Sequence, residues 1–137
     1  MLLDELATYL AGAGLGLTAG TSVFSAPIPD TCSVLAVGMV ALPGDRPIRT
    51  FSASLASNLM ERPGVQVVVR GVENGITAAA TKAKLVYAAL ANLGPVTLSG
   101  VRYYDVQPEG GIQGPYFDET TNRPRYLMNF SIHKDPS

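Results

Sequence analysis

Val65-Gln66-Val67-Val68-Val69 constrains the chain most. Four β-branched, apolar strand-formers interrupted only by Gln66 cannot lie on a solvated surface without losing the burial that makes them a strand. They read as a central strand with Val65, Val67 and Val69 on one face. Arg62-Pro63-Gly64 leads into it, and a partner for its buried face follows soon after. From Asn74-Gly75 onward, Ile76, Ala79, Ala80, Ala83, Val86, Tyr87, Leu90 and Leu93 keep a helical period over about five turns, and Gly94-Pro95 closes the segment. Val65, Val67 and Val69 are therefore expected to be buried against Ala83, Val86 and Leu90.

Other elements are read around that pair. Leu2, Leu3, Leu6, Tyr9, Leu10 and Ala13 share one helical stripe, which should end in the glycine-rich segment 12–16. Thr21–Ser25 is expected as a short strand and Ser33–Leu42 as a longer one, with a turn at Pro27, Pro29 and Asp30 between them. Pro43-Gly44-Asp45-Arg46-Pro47 reads as a loop. Phe51–Met60 leaves strand and helix both open. Val96–Leu98, Val101–Val106 and Tyr126–His133 read as strands, and Pro108–Gly114 as a flexible glycine-rich loop. The order helix, strands, long helix, strands predicts an α+β fold. In it a mainly antiparallel sheet carries the long helix and the N-terminal helix on one face. Residues 1–137 suffice for one domain with a real core, and nothing marks a second.

Charge narrows the function. Only 15% of the 137 residues are charged, against about 25% in an average soluble domain, and the net charge is −1. Such a surface suits a subunit that covers itself with partners, and it gives no general drive toward nucleic acid. The charges are also segregated. Residues 1–45 carry Asp4, Glu5, Asp30 and Asp45 and no Lys or Arg, while the other 92 residues carry all ten basic groups and seven acidic ones. Identical subunits can satisfy that asymmetry through head-to-tail contact. The uncharged stretch from Leu6 to Pro29 is long enough for a bilayer but is broken by Gly and Pro and has acidic flanks. Neither a membrane span nor a secretion signal is expected from it.

Candidate chemistry is sparse. Cys32 is the only cysteine, so no internal disulfide forms, and it reads as a buried, inert thiol. Gly12, Gly14 and Gly16 follow a helix, whereas a dinucleotide fingerprint follows a strand and needs a different third glycine. His133, the only histidine, has no ligand-like spacing to Cys32 or the carboxylates, and no nucleophile elbow accompanies it. No catalytic residue, metal ligand or cofactor is expected. Lys82 and Lys84 read as a solvated helix face. Asp118-Glu119 reads as a hairpin turn. Arg62 and Arg70 flank the central strand, where they pair with a carboxylate (Glu61, Glu73 or Asp105) or reach across an interface. Arg46, Arg49, Arg62, Arg70, Asp118 and Arg123 are the candidate interface residues, and the loops 43–50 and 108–123 are expected to order against partners.

The segment Glu61-Arg62-Pro63-Gly64-Val65-Gln66-Val67-Val68-Val69-Arg70-Gly71, followed by the Ala78–Leu93 helix with Tyr87, resembles the minor capsid or tail-terminator proteins of long-tailed bacteriophages. The opening LLDELATYL and the closing RPRYLMNFSIHK fit the same pattern, so the resemblance spans nearly the whole chain. Val72-Glu73-Asn74-Gly75 departs from it, since relatives often carry an aromatic residue shortly after the Arg-Gly. The resemblance implies a non-enzymatic virion protein of the tail or neck, put together in the bacterial cytoplasm. Such subunits close into a ring, typically of six, on the head-proximal end of the tail tube. The ring stops tube polymerisation and offers a surface to the head-completion or connector protein. Genomic DNA passes through its lumen without sequence recognition. A head-completion or tail-tube subunit is the alternative reading, and a small enzyme the third.

Overall fold

The computed structural model describes residues 2–29, 32–49, 59–98, 100–117 and 121–135, with 43–49 and 59–60 described by backbone alone. The elements, in chain order, are α1 (Leu2–Ala11), β1 (Ala36–Arg49), β2 (Leu59–Arg70), α2 (Ile76–Ala91), β3 (Val96–Leu98), β4 (Val101–Pro108), β5 (Gln113–Phe117) and β6 (Pro124–Lys134). The strands form one antiparallel sheet in the order β1-β2-β6-β4-β3, and β5 pairs with β6 beside this path. This is the α+β arrangement expected from the sequence.

Period-two alternation gives the sheet two unlike faces. On the inner face Val37 lies opposite Val69 and Val69 opposite Tyr126; Met39, Val67 and Met128 form the next row, and Val65 meets Phe130. All of these are buried, together with Leu6, Ala7 and Leu10 of α1 and Ala79, Ala83, Val86 and Leu90 of α2. The predicted packing of the valine strand on the long helix is thus observed. The Tyr87 and Phe130 rings meet at 5.7 Å between centroids, and the Tyr9 hydroxyl donates to the Ala89 carbonyl at 3.3 Å, joining α1 to α2. The outer face carries Val40, Gln66, Val68, Leu127, Asn129, Ser131 and His133, all half-buried.

Several local expectations are corrected. Residues 43–49 are strand, continuing β1 past Pro43 and Pro47. Register irregularities at Leu42/Asp45 and Asp45/Ile48 accommodate the prolines, and β1 is an outer strand of the sheet, where a missing N–H is tolerated. Residues 21–25 form no regular strand. Val23 makes isolated bridges to Ala19 and Val37, while the Val37 N–H donates to Ser22 and the Phe24 N–H to Val37. β1 begins at Ala36, not at Ser33. The expected glycine loop 108–114 gives way at Gln113 to β5, whose five residues are all exposed. Of the ambiguous segment, Leu59 and Met60 open β2, while Phe51–Asn58 lie outside the described residues.

Candidate interaction surface

Of the six residues expected at an interface, the five arginines fall in two separate places. Arg46 and Arg49 lie in the distal half of β1, and Arg62 lies opposite Asp45 where β1 and β2 run on together toward Arg49 and Leu59. Arg70 closes the other end of β2. Eight residues of strand separate Arg62 from Arg70, about 26 Å. Arg123 joins Arg70, and Asp118 lies outside the described residues.

Arg70 and Arg123 act on one loop. Arg70 Nη2 donates to the carbonyls of Pro29 at 2.9 Å and Cys32 at 3.0 Å. Arg123 donates from Nη1 to the same Cys32 carbonyl at 2.6 Å, from Nη2 to Val34 at 2.9 Å and from Nε to Gly71 at 2.7 Å. The segment between α1 and β1 has carbonyls that no ladder satisfies, and guanidinium forks supply the donors. The partners of Arg70 are therefore main-chain carbonyls, whereas a carboxylate was among the expected ones. Glu61 instead lies 3.5 Å from the buried Lys134, and Asp105 lies 4.0 Å from His133.

The same loop lies across the outer face of β1. The Met39 N–H donates to the Ala26 carbonyl, and Ile28 sits directly over Gly38. A Cβ on Gly38 would stand 2.7 Å from Ile28 Cγ1, 2.9 Å from Ile28 N and 3.0 Å from the Ala26 carbonyl oxygen. Only a residue without a side chain admits so close an approach. Beside this crossing opens a cavity of about 200 Å3 lined by Pro27, Ile28, Gly38, Val40, Val68, Arg70 and Arg125. Arg125 was not singled out from the sequence. Its only early signal was its place one residue before the apolar alternation of the last strand.

Other expected features are placed as follows. Cys32 is half-buried, not buried, and its thiol approaches the Thr21 and Val34 carbonyls at 3.8 Å each. Lys82 is not a freely solvated lysine: its ammonium donates to the Leu15 carbonyl and holds the glycine segment after α1. Lys84 is exposed on α2. His133 shares the outer face with Ser131 and Asp105, and among the described residues no hydrogen bond joins Ser131 to His133. Glu5, on α1, is buried and accepts a 2.8 Å hydrogen bond from the Tyr103 hydroxyl. Burial, and then this bond to Glu5, push the Tyr103 phenol well above its ordinary pKa of 10.0. Among the described residues no helix is long and apolar enough to cross a membrane.

The fold defines a two-layer α+β protein with helices on one face of an antiparallel sheet. No protein-family model matches the chain, and no curated protein matches it. Among solved structures it is similar to a chain from the virion of a native gene transfer agent (GTA) particle, with a TM-score of 0.67 and 18% identity over 98% of this chain and 95% of that one. At that identity the likeness is one of fold.

Proposed function

We propose that this chain is a structural subunit of a phage-like virion, a tail terminator that closes as a ring on the head-proximal end of the tail tube. The fold shared with a GTA virion chain over nearly the full length of both carries this reading. It agrees with the resemblance of Glu61–Gly71 and the helix after it to tail terminators, which was drawn from residues and not from shape. The ring would stop addition of tube subunits on one side and receive a head-completion or connector protein on the other, with DNA passing through unread. The segregation of acids in residues 1–45 from the bases in the rest supports head-to-tail contact between identical subunits, because unlike patches on one molecule can generate a ring. The distal β1–β2 extension with Arg46, Arg49 and Arg62, and the corner holding Arg70 and Arg123, are the proposed contact regions, with Asp118 as a further candidate.

Deleting the gene from a phage or phage-like particle that carries it, followed by electron microscopy, tests the reading. Tails of uncontrolled length, or tails of normal length that fail to join heads, are expected. Normal, head-joined tails would overturn it, and loss of the tube itself would assign the chain to the tube.

A further inference from the structure

Arg70 and Arg125 are directly opposed across the β2–β6 pair and lie on the same, outer face of the sheet. Like charges in that position repel, and a chain normally avoids the pairing or places a counter-charge beside it. Both side chains line the same cavity. Arg70 is 8% exposed, and both of its hydrogen bonds leave from Nη2 to neutral carbonyls. Its Nε is buried with no partner. The Arg125 side chain is exposed and makes no hydrogen bond or ion pair among the described residues. Two cations therefore face one recess with no described carboxylate bonded to either. The remaining walls, Pro27, Ile28, Val40 and Val68, are apolar.

We propose that this recess is a receptor for a carboxylate side chain of a second copy of this chain, with Asp4 as the group delivered. A carboxylate seated between the arginines removes their repulsion, and the apolar walls cover its stem. A phosphodiester backbone fits the recess less well. One arginine is almost wholly buried, and a duplex is held by rows of exposed cations, not by a small apolar-walled pocket. The second copy as occupant follows from charge placement. Asp4 stands in the first turn of α1, is exposed, and belongs to the third of the chain that has acids and no bases. α1 packs on the inner face of the sheet and the receptor opens on the outer face, so the pair meets between copies in a heterologous contact. The inference deepens the ring reading given above.

A charge swap on the full chain tests it, read by sedimentation velocity over a concentration series. Wild type should self-associate. Arg125→Glu and Asp4→Lys should each weaken that association about tenfold or more, as close interfacial charge pairs do, and the double variant should recover most of the loss. Arg125→Glu turns the like-charge pair with Arg70 into an opposite-charge one at an exposed position, so the melting temperature should not fall, and this is checked on the same samples. A wild type that stays monomeric throughout, single variants without effect, or a double variant that does not recover would each overturn the receptor. A second arm follows the Arg70 and Arg125 side-chain N–H resonances while glutarate, inorganic phosphate or a short DNA duplex is added. Glutarate should shift both, whereas a response to DNA alone would overturn the carboxylate assignment. A failed swap alongside uncontrolled tails in the deletion strain would sink the receptor and leave the terminator reading standing. A successful swap in a protein found away from the tail would do the reverse.

Discussion

Gly38→Ala is the sharpest structural perturbation of this surface. The new methyl would meet three atoms, Ile28 Cγ1 at 2.7 Å, Ile28 N at 2.9 Å and the Ala26 carbonyl oxygen at 3.0 Å, and two of these are backbone. Two responses are open. The loop can stay and the contact strain, as in an overpacked core, at about 1–3 kcal/mol. Alternatively the loop can lift, which breaks the Met39–Ala26 backbone bond and both Arg70 bonds to Pro29 and Cys32. At about 1 kcal/mol for the first and about 1.5–3 for each bond to a charged donor, lifting costs about 4–7 kcal/mol. The cheaper response governs, so the loop should stay. Because backbone yields less than side chain, the loss should fall in the upper part of the range, about 2–3 kcal/mol. For a domain of this size that is roughly 6–15 °C in melting temperature. Adding Ile28→Ala removes only the Cγ1 contact and should recover part of the loss. Urea unfolding and thermal melting of the three proteins provide the assay, and the Arg70 resonances report whether the loop has stayed. A Gly38→Ala variant within about 0.5 kcal/mol of wild type, the usual range of harmless surface changes, would refute the close crossing of loop over strand.

Val67→Asp places a carboxylate where exposure is 0%, between Met39 and Met128, and should abolish soluble folding; a wild-type melting temperature would refute the central position of β2. Tyr103→Phe removes a buried hydrogen bond to Glu5 and should cost about 1.5–3 kcal/mol at neutral pH by urea unfolding. The same residue makes the fold sensitive to alkali. Its folded pKa is raised above the 10.0 of an ordinary tyrosine, so its stabilisation is complete below pH 10 and is lost as pH rises toward the folded value. Wild type should therefore lose stability above pH 10 more steeply than Tyr103→Phe, and parallel curves would count against the buried phenol. Lys82→Met removes the donor to the Leu15 carbonyl, and hydrogen exchange should quicken in residues 12–16 while the α2 core stays protected.

Elements that bury an apolar face were legible, because burial writes a period into the sequence. The alternation of Val65, Val67 and Val69 and the helical spacing of Ala79, Ala83, Val86 and Leu90 both correspond to residues at 0–1% exposure. β5 was illegible for the converse reason: all five of its residues are exposed, so no inward set exists to mark it. The extension of β1 through Pro43 and Pro47 was masked by residues that normally signal a turn, and an outer strand can absorb them with irregular register. The candidate surface was read only in part. Arg70 and Arg123 stood out as cations beside strands, but that both bond the Cys32 carbonyl depends on a loop about 40 residues from one and 90 from the other. Contacts so distant leave no local pattern. Arg125 was missed because its importance lies in register, and register with Arg70 is fixed by valines and aromatics on the opposite face.

The two ends of β2 therefore carry different meanings. At its start Arg62 stands opposite Asp45 in the backbone register of the hairpin. At its end Arg70 stands between Ala36 and Arg125, with a cation on one side and a methyl on the other. Alternation forces this: once Val65, Val67 and Val69 face the core, Arg70 must face outward, and antiparallel register with β6 then sets Arg125 beside it. A single Arg70→Leu change would leave the inner core untouched and remove the repulsion, yet it would also remove the donor to Pro29 and Cys32. The guanidinium is thus retained on structural grounds by the loop, and the uncompensated charge that results is available for recognition. Arg125 has no such structural tie among the described residues. Its placement is where recognition and folding can be separated, and substitutions there should weaken association without lowering stability.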